Sequence, residues 1–167
     1  CEHMGNFPTF PVKGKLKMSP DNILNYRINI SEEKGHAGYY EAKVQEDIHA
    51  KLTVTERTGM ASYEYPADQQ YGTVIIGGGI SATPIEQAAI VITAPNKCEG
   101  YAEGGNFCGL RTPYKVYFVA EFDTDALESG TWKRNELKPN TTFAEGEYSG
   151  VYFTFDVNKK KNIQYKI

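Results

Sequence analysis

The amino-acid sequence predicts an all-β protein, an antiparallel two-sheet sandwich of the supersandwich kind with an extended N-terminal arm. Apolar and polar side chains alternate with a period of two along several segments, which is the pattern of half-buried strands. No segment shows the apolar spacing of an amphipathic helix over three turns. About ten short strands separated by turns are typical of a sandwich of two sheets.

Two segments, residues 39–45 and residues 48–56, alternate most clearly. The apolar side of the first comprises Tyr40, Ala42 and Val44, and that of the second comprises Ile48, Ala50, Leu52 and Val54. Residues 60–65 alternate in the same way. β-Branched and aromatic residues, which favour strands, fill four further segments: residues 73–76, 88–93, 114–122 and 151–157.

Residues that tolerate turns lie between the predicted strands. They occupy positions 46–47, 57–59, 66–68, 77–79, 95–96, 104–106 and 129–130, and residues 159–161 are expected at a loop tip. The first 25 residues carry Pro8, Pro11, Gly14 and Pro20 among scattered apolar side chains. We expect this segment to be an extended arm that wraps the sandwich.

Length and composition indicate one domain over residues 1–167. The hydrophobic fraction of 40% suffices for a core, and the charged fraction of 23% suffices for solubility. A net charge of −3 argues against a nucleic-acid binder or a protein that binds anionic membranes. No apolar run approaches the roughly 18 residues of a membrane helix, and no secretory signal is visible.

Catalytic and metal-binding motifs are poorly represented. The three cysteines, Cys1, Cys98 and Cys108, leave at least one thiol unpaired and match no zinc ligand spacing. The three histidines have no Cys or acidic partner at ligand spacing, and His49 is expected on the polar face of a strand. Carboxylates are plentiful, but a glycosidase needs a pair at a defined separation, which sequence spacing does not reveal.

Residues 99–111 form a glycine-rich segment that contains Tyr101 and Phe107. Such a segment is either a long hairpin loop or a bulged strand that brings backbone close to a partner. Aromatic rings exposed there would offer apolar faces to a sugar. The pattern alone favours the other interpretation, in which both rings lie in the core.

Several motifs together resemble glycoside hydrolase family 92, the calcium-dependent exo-acting α-mannosidases. Residues 38–40 (GYY) and 48–59 (IHAKLTVTERTG) are similar to the family stretch "GYY…I.AELTATERTG". Residues 4–8 look like the loop that follows the family's "GxGC" element, with Cys1 in the Cys position. Three further segments resemble family motifs in the same order: residues 100–109 ("GY…GFCG"), 114–122 ("YxVYFxAEF") and 130–132.

The resemblance implies an N-terminal β-sandwich domain whose partner is a C-terminal (α/α)₆ catalytic domain of the same enzyme. In the family, that barrel carries the general acid, the general base and the calcium ligands. The implied reaction is hydrolysis of a terminal α-mannosyl linkage of a glycan with inversion. We therefore expect this chain to be a part of a longer enzyme, trimmed at both ends, with no catalytic residue, no metal ligand and no activity of its own.

The resemblance also implies which side chains face the substrate. The expected substrate-binding residues are Cys1, Glu2, His3, Met4, Tyr101, Phe107 and Cys108. We expect the first four to affect linkage preference more than turnover, although an ordinary buried arm is an equal alternative for them. A secreted, periplasmic or cell-surface location is implied as well.

Two other functions stay open on the sequence. The sandwich could be a free-standing carbohydrate-binding module that uses Tyr and Phe rings, or a structural domain without a ligand. If the family resemblance holds, the isolated domain is expected to expose an apolar face that is normally buried between domains. Self-association or low solubility of the isolated chain would then follow.

Overall fold

The computed structural model describes residues 5–20, 29–45, 47–79, 84–105 and 112–167. These residues form strands and turns without a helix, so the described chain contains no helix long and apolar enough to cross a membrane. The described strands are β1 (Thr9–Lys13), β2 (Ile30–His36), β3 (Tyr39–Val44), β4 (Ile48–Val54), β5 (Gly59–Glu64), β6 (Tyr71–Gly77), β7 (Ile85–Ala94), β8 (Lys97–Gly104), β9 (Tyr114–Phe122), β10 (Glu128–Lys133), β11 (Glu136–Pro139), β12 (Phe143–Glu145), β13 (Ser149–Asp156) and β14 (Asn162–Lys166).

The strands form two antiparallel sheets, which confirms the predicted all-β sandwich. Of the described strands, five form one sheet in the order β1-β6-β13-β10-β11, and nine form the other in the order β12-β7-β8-β9-β14-β5-β4-β3-β2. Strands that follow each other in the chain are neighbours from β2 to β5 and from β7 to β9. Hairpins therefore build most of the larger sheet.

The main core lies between the two sheets. Phe122 of β9 packs across the interface against Phe153 and Phe155 of β13, with ring centroids 4.9 and 5.0 Å apart. β6 is buried on both faces, because Val74 and Ile76 join this core while Ile75 joins a second cluster on the other side of the five-stranded sheet. That second cluster comprises Phe10, Ile75, Trp132 and Tyr152, with Val12, Leu16 and Leu137 packed against it.

The N-terminal segment differs from the predicted wrapping arm. Residues of β1 pair with β6 along their whole length, so they form the edge strand of the five-stranded sheet. Pro11 is tolerated there because an edge strand has one side on which no ladder hydrogen bond is required. The residues that follow β1 run over the sheet, where Leu16 packs on the second cluster and the Ser19 hydroxyl donates to the Arg134 carbonyl.

Most alternating segments are strands as predicted, and residues 159–161 lie in the connection between β13 and β14. The turn predicted at residues 129–130 is wrong. Ser129 and Gly130 lie inside β10, in register with Phe153 and Tyr152 of β13. A glycine is required at position 130 by the close approach of the neighbouring strand, since a Cβ there would lie 2.5 Å from the Lys138 carbonyl oxygen.

Candidate functional site

Of the residues predicted to contact substrate, Tyr101 falls within the part of the chain that the structure describes. The other six, Cys1, Glu2, His3, Met4, Phe107 and Cys108, lie outside the described residues. Tyr101 is therefore the predicted substrate-binding residue whose surroundings the structure describes.

Tyr101 lies on the outer face of the nine-stranded sheet. Cys98 and Ala102 of β8 point inward and are fully buried, and side chains alternate along a strand. Tyr101 consequently points away from the core and is half-buried. The interpretation that placed this ring in the core is wrong.

Tyr117 of β9 lies directly beside Tyr101. The two residues are in register across the β8–β9 pair, and their ring centroids are 6.0 Å apart with an interplanar angle of 48°. Tyr117 keeps 70% of its surface exposed, although Phe118 next to it is buried in the core. The pair forms an aromatic wall on an otherwise open sheet surface.

The two tyrosines border a shallow apolar depression of about 420 Å³. Its surface is formed by β7, β8, β9 and β12 and comprises Ala89, Ile90, Val91, Glu99, Gly100, Tyr101, Tyr117, Phe118, Val119 and Phe143. Ala89 is the cross-strand neighbour of Tyr101, and Phe143 is that of Val91. Short side chains beside large ones therefore create the hollow.

Gly100 fixes the floor of the depression. A Cβ at this position would lie 2.3 Å from the Ala89 carbonyl oxygen and 3.0 Å from a ring carbon of Phe118. No side chain fits without shifting backbone, so glycine lets β7 and the Phe118 ring approach β8 closely. At Gly100 the glycine-rich segment is therefore part of the regular strand β8 and does not form a bulge.

Lys115 orients the Tyr101 ring. Its ammonium nitrogen lies 3.9 Å from the ring centroid and 3.3 Å from Glu103 Oε2. A cation over an aromatic face is attracted by the ring quadrupole, by about 0.5–1 kcal/mol at exposed sites. One face of Tyr101 is therefore engaged by Lys115, and the carboxylate of Glu103 holds that lysine in place.

The side chains of the depression can bind a ligand but do not supply the groups for glycoside hydrolysis. Its walls offer apolar aromatic surface, and Glu99 supplies a hydrogen-bond acceptor at the rim. Glycoside hydrolysis uses a pair of carboxyl groups that flank the scissile bond. Among the described lining residues Glu99 is the one acidic side chain, so the depression does not contain such a pair.

The described residues do not fit a calcium site. Calcium takes six to eight oxygen ligands, with carboxylates prominent among them. Within the described ranges no group of three or more His, Cys, Asp or Glu side chains is arranged to hold a metal ion. His49 makes an ordinary strand-surface contact, with its Nε2 3.8 Å from Glu41 Oε2.

The sequence did not indicate three residues that line the depression: Tyr117, Val119 and Phe143. The run from 114 to 122 is apolar at nearly every position, which indicates burial on both faces and hides the exposed one. Phe143 belongs to a strand of three residues that no periodicity reveals. Pairing of β8 with β9 would have indicated Tyr117, because the register of this pair places Tyr117 opposite Tyr101.

A model of the glycosyl hydrolase family 92 N-terminal domain matches residues 1–167. The chain belongs to this family. The resemblance inferred from the sequence motifs is thereby confirmed. No curated protein sequence matches this GH92 N-terminal domain.

Solved GH92 structures share the fold of this domain. A family GH92 inverting mannosidase from Bacteroides thetaiotaomicron matches with a TM-score of 0.78 at 21% identity over 96% of this chain. A GH92 α-mannosidase from the same organism matches 98% of this chain with a TM-score of 0.80 at 21% identity. The GH92 glycosyl hydrolase ccman5 matches 98% of this chain with a TM-score of 0.81 at 20% identity. The GH92 N-terminal domain spans 21%, 24% and 23% of those three chains, respectively.

Proposed function

We propose that this domain belongs to an enzyme that removes terminal α-mannosyl residues from glycans with inversion, and that it completes the active site of that enzyme. The observation that carries the proposal is the family match over all 167 residues. It is supported by the mannosidases among the solved relatives. The depression beside Tyr101 and Tyr117 is proposed to accept part of the glycan.

The geometry of the depression suits a sugar. A hexose ring presents an apolar face of C–H groups, which packs on aromatic rings such as those of Tyr101 and Tyr117. Its hydroxyl groups require hydrogen-bond partners, and the carboxylate of Glu99 supplies an acceptor at the edge of the aromatic wall. A volume of about 420 Å³ lies within the usual range of small-ligand sites.

The chemical step is proposed to take place in the catalytic domain that follows in the full-length enzyme. An inverting glycosidase needs a protonated carboxyl group and a carboxylate about 6.5–9.5 Å apart, with a water molecule between the carboxylate and the sugar. We assign both groups and the calcium ligands to that domain. This domain would bind and orient the glycan, and by itself it would be inactive.

The test is release of mannose by the full-length enzyme. Incubation with α-linked mannobiosides should liberate β-mannose first, as followed by proton NMR of the anomeric signal, while the 167-residue chain should release none. A full-length enzyme that fails on every α-mannoside would contradict the proposal. Initial release of α-mannose would contradict the inverting mechanism.

The second candidate function is a carbohydrate-binding module that acts without the catalytic domain, and the exposure of Tyr117 favours it. Calorimetric titration of the isolated chain with mannose oligosaccharides separates the two functions. A site completed only by the catalytic domain gives no measurable heat with the isolated chain. Saturable binding would favour the independent module. The secreted, periplasmic or cell-surface location is proposed for either function.

A further inference from the structure

The core-facing side of β4 changes abruptly from buried to exposed. Ile48 and Ala50 are 0% and 4% exposed, whereas Leu52 and Val54 are 36% and 63% exposed. All four residues lie on the same face of the strand, because side chains alternate with a period of two. The core-facing surface of the nine-stranded sheet therefore continues beyond the part that the five-stranded sheet covers.

Neighbouring strands extend this uncovered surface. Tyr40 of β3 is in register with Leu52, and Gly59 of β5 is in register with Val54. Ile167 exchanges two backbone hydrogen bonds of 2.8 Å with Gly59, and its side chain lies over that glycine. We name this surface the overhang and define it as Tyr40, Leu52, Val54 and Ile167.

The overhang differs in chemistry from the opposite side of the same strands. There, Lys51 and Thr53 of β4 and Glu41 of β3 alternate with the overhang residues, and Lys34 lies 3.5 Å from Glu41. A single exposed apolar residue is normal on protein surfaces. The exposed Leu52 and Val54, flanked by the half-buried Tyr40 and Ile167, instead continue the core and mark an interaction surface.

We infer that the overhang docks against the catalytic domain of the same polypeptide, the domain that follows residue 167 in the proposed enzyme. The inference rests on the proposed function. Strands are about 4.8 Å apart, so Val54 and Ile167 lie on strands separated by about 10 Å. The segment that follows Ile167 therefore starts at the edge of the overhang. The matched GH92 structures are four to five times longer than this domain, which leaves ample chain to cover it.

A second copy of the chain is the less suitable occupant. Dimers of sheet proteins form most readily by pairing of edge strands, and β2 is the edge strand beside the overhang. β2 carries the charged residues Glu32, Glu33 and Lys34, and its register with β3 shifts between Ser31 and Lys34. Charges and an irregular register both oppose pairing with another edge.

Site-specific photocrosslinking in the full-length enzyme tests the inference. The substitution Val54→p-benzoylphenylalanine places a photoreactive ring on the overhang at a residue that tolerates it, because Val54 is largely exposed within this domain. The matched control is Thr53→p-benzoylphenylalanine, on the adjacent residue that points to the opposite side. Cross-linked peptides are then identified by mass spectrometry.

The expected result is a cross-link within one polypeptide from position 54 to residues that follow 167, at least tenfold more abundant than from position 53. A cross-linked dimer on a denaturing gel would overturn the inference in favour of a second copy. Equal yields from both positions, or no cross-link from position 54, would also overturn it. Mannose release by the same samples tests the proposed function separately, since an inactive enzyme can still give the cross-link.

Discussion

The ring of Tyr65 packs directly on Gly72, so that a Cβ at Gly72 would lie 2.5 Å from two carbons of the ring. Tyr65 follows β5 of the nine-stranded sheet, and Gly72 belongs to β6 of the five-stranded sheet. The Tyr65 hydroxyl donates to the Thr73 carbonyl oxygen at 3.0 Å. One buried side chain thus joins the two sheets by packing and by a hydrogen bond.

Substitution Gly72→Ala is expected to destabilise the domain. The added methyl group collides with a ring that is itself buried, with 2% of its surface exposed. Overpacking of this kind costs about 1–3 kcal/mol, and 1 kcal/mol corresponds to roughly 2–4 °C in a protein of this size. Thermal unfolding should show a midpoint lowered by several degrees.

Gly5→Ala provides the control for this substitution. No atom of the described residues lies within 4 Å of a Cβ at Gly5, and Gly5 is not among the described glycines with positive φ. Its thermal midpoint should stay close to that of the unmodified protein. Equal thermal midpoints for Gly72→Ala and Gly5→Ala would contradict the close contact between the Tyr65 ring and Gly72.

Alkaline pH is expected to destabilise the domain through its buried tyrosines. Burial raises the pKa of Tyr63, Tyr65 and Tyr165 above the ordinary phenol value. The unfolded chain therefore loses these protons at about pH 10, while the folded chain keeps them. The folded state binds more protons there, so the free energy of unfolding falls as pH rises through and above about 10.

Tyr65→Phe should reduce this pH dependence. One group that keeps its proton only in the folded state contributes a slope of about 1.4 kcal/mol per pH unit above its unfolded pKa. Urea denaturation at pH 8, 10 and 11 measures the slope for each variant. Phe153→Leu, a buried substitution without a titrating group, should lower stability by the same amount at each pH. An unchanged slope in Tyr65→Phe would contradict the assignment.

The part of the fold that local patterns specify was predictable from the sequence. β4 was predicted because polar residues alternate with Ile48 and Ala50, and β9 because β-branched and aromatic residues fill it. Periodicity reports which side chains share a face, but not how far the opposite sheet extends. Leu52 and Val54 therefore match the buried pattern and yet are exposed.

Features that depend on contacts between distant residues were not predictable. Ser129-Gly130 has the composition of a turn, and only pairing with β11 and β13 makes it a strand. The N-terminal prolines suggested an arm, whereas pairing with β6 makes residues 9–13 an edge strand. At the candidate site Tyr101 could be named from the sequence, but its neighbours Tyr117 and Phe143 follow from the order of strands in the sheet.

The thiol of Cys98 is expected to be unreactive in the folded protein. Burial, and to a smaller extent the charge of Glu99, raises its pKa to about 12. The thiolate is the reactive form of cysteine, and at pH 8 its fraction at this position is about one in ten thousand. Iodoacetamide should leave the peptide that contains Cys98 unmodified at pH 8 and alkylate it completely in urea. Rapid alkylation in the absence of urea would show that Cys98 is exposed.

Removal of the Tyr117 ring is expected to weaken glycan binding by the full-length enzyme. Tyr117→Ala deletes the more exposed half of the aromatic wall while the core beneath it, including Phe118, stays intact. One aromatic contact contributes about 1 kcal/mol, which corresponds to roughly a fivefold change in affinity. KM for mannose oligosaccharides should rise by about that factor, with kcat unchanged.

Two control variants separate the loss of the ring from a general disturbance of β9. Tyr117→Phe keeps the stacking surface and should retain most of the affinity, because the apolar face of a sugar contacts the ring and not its hydroxyl. Val116→Ala changes the adjacent residue, which points to the other side of the strand, and should leave KM unchanged. If Tyr117→Ala and Val116→Ala have the same KM for mannose oligosaccharides of every length, the depression does not contact the glycan. A fall in kcat at constant KM would instead assign Tyr117 a part in positioning the catalytic domain.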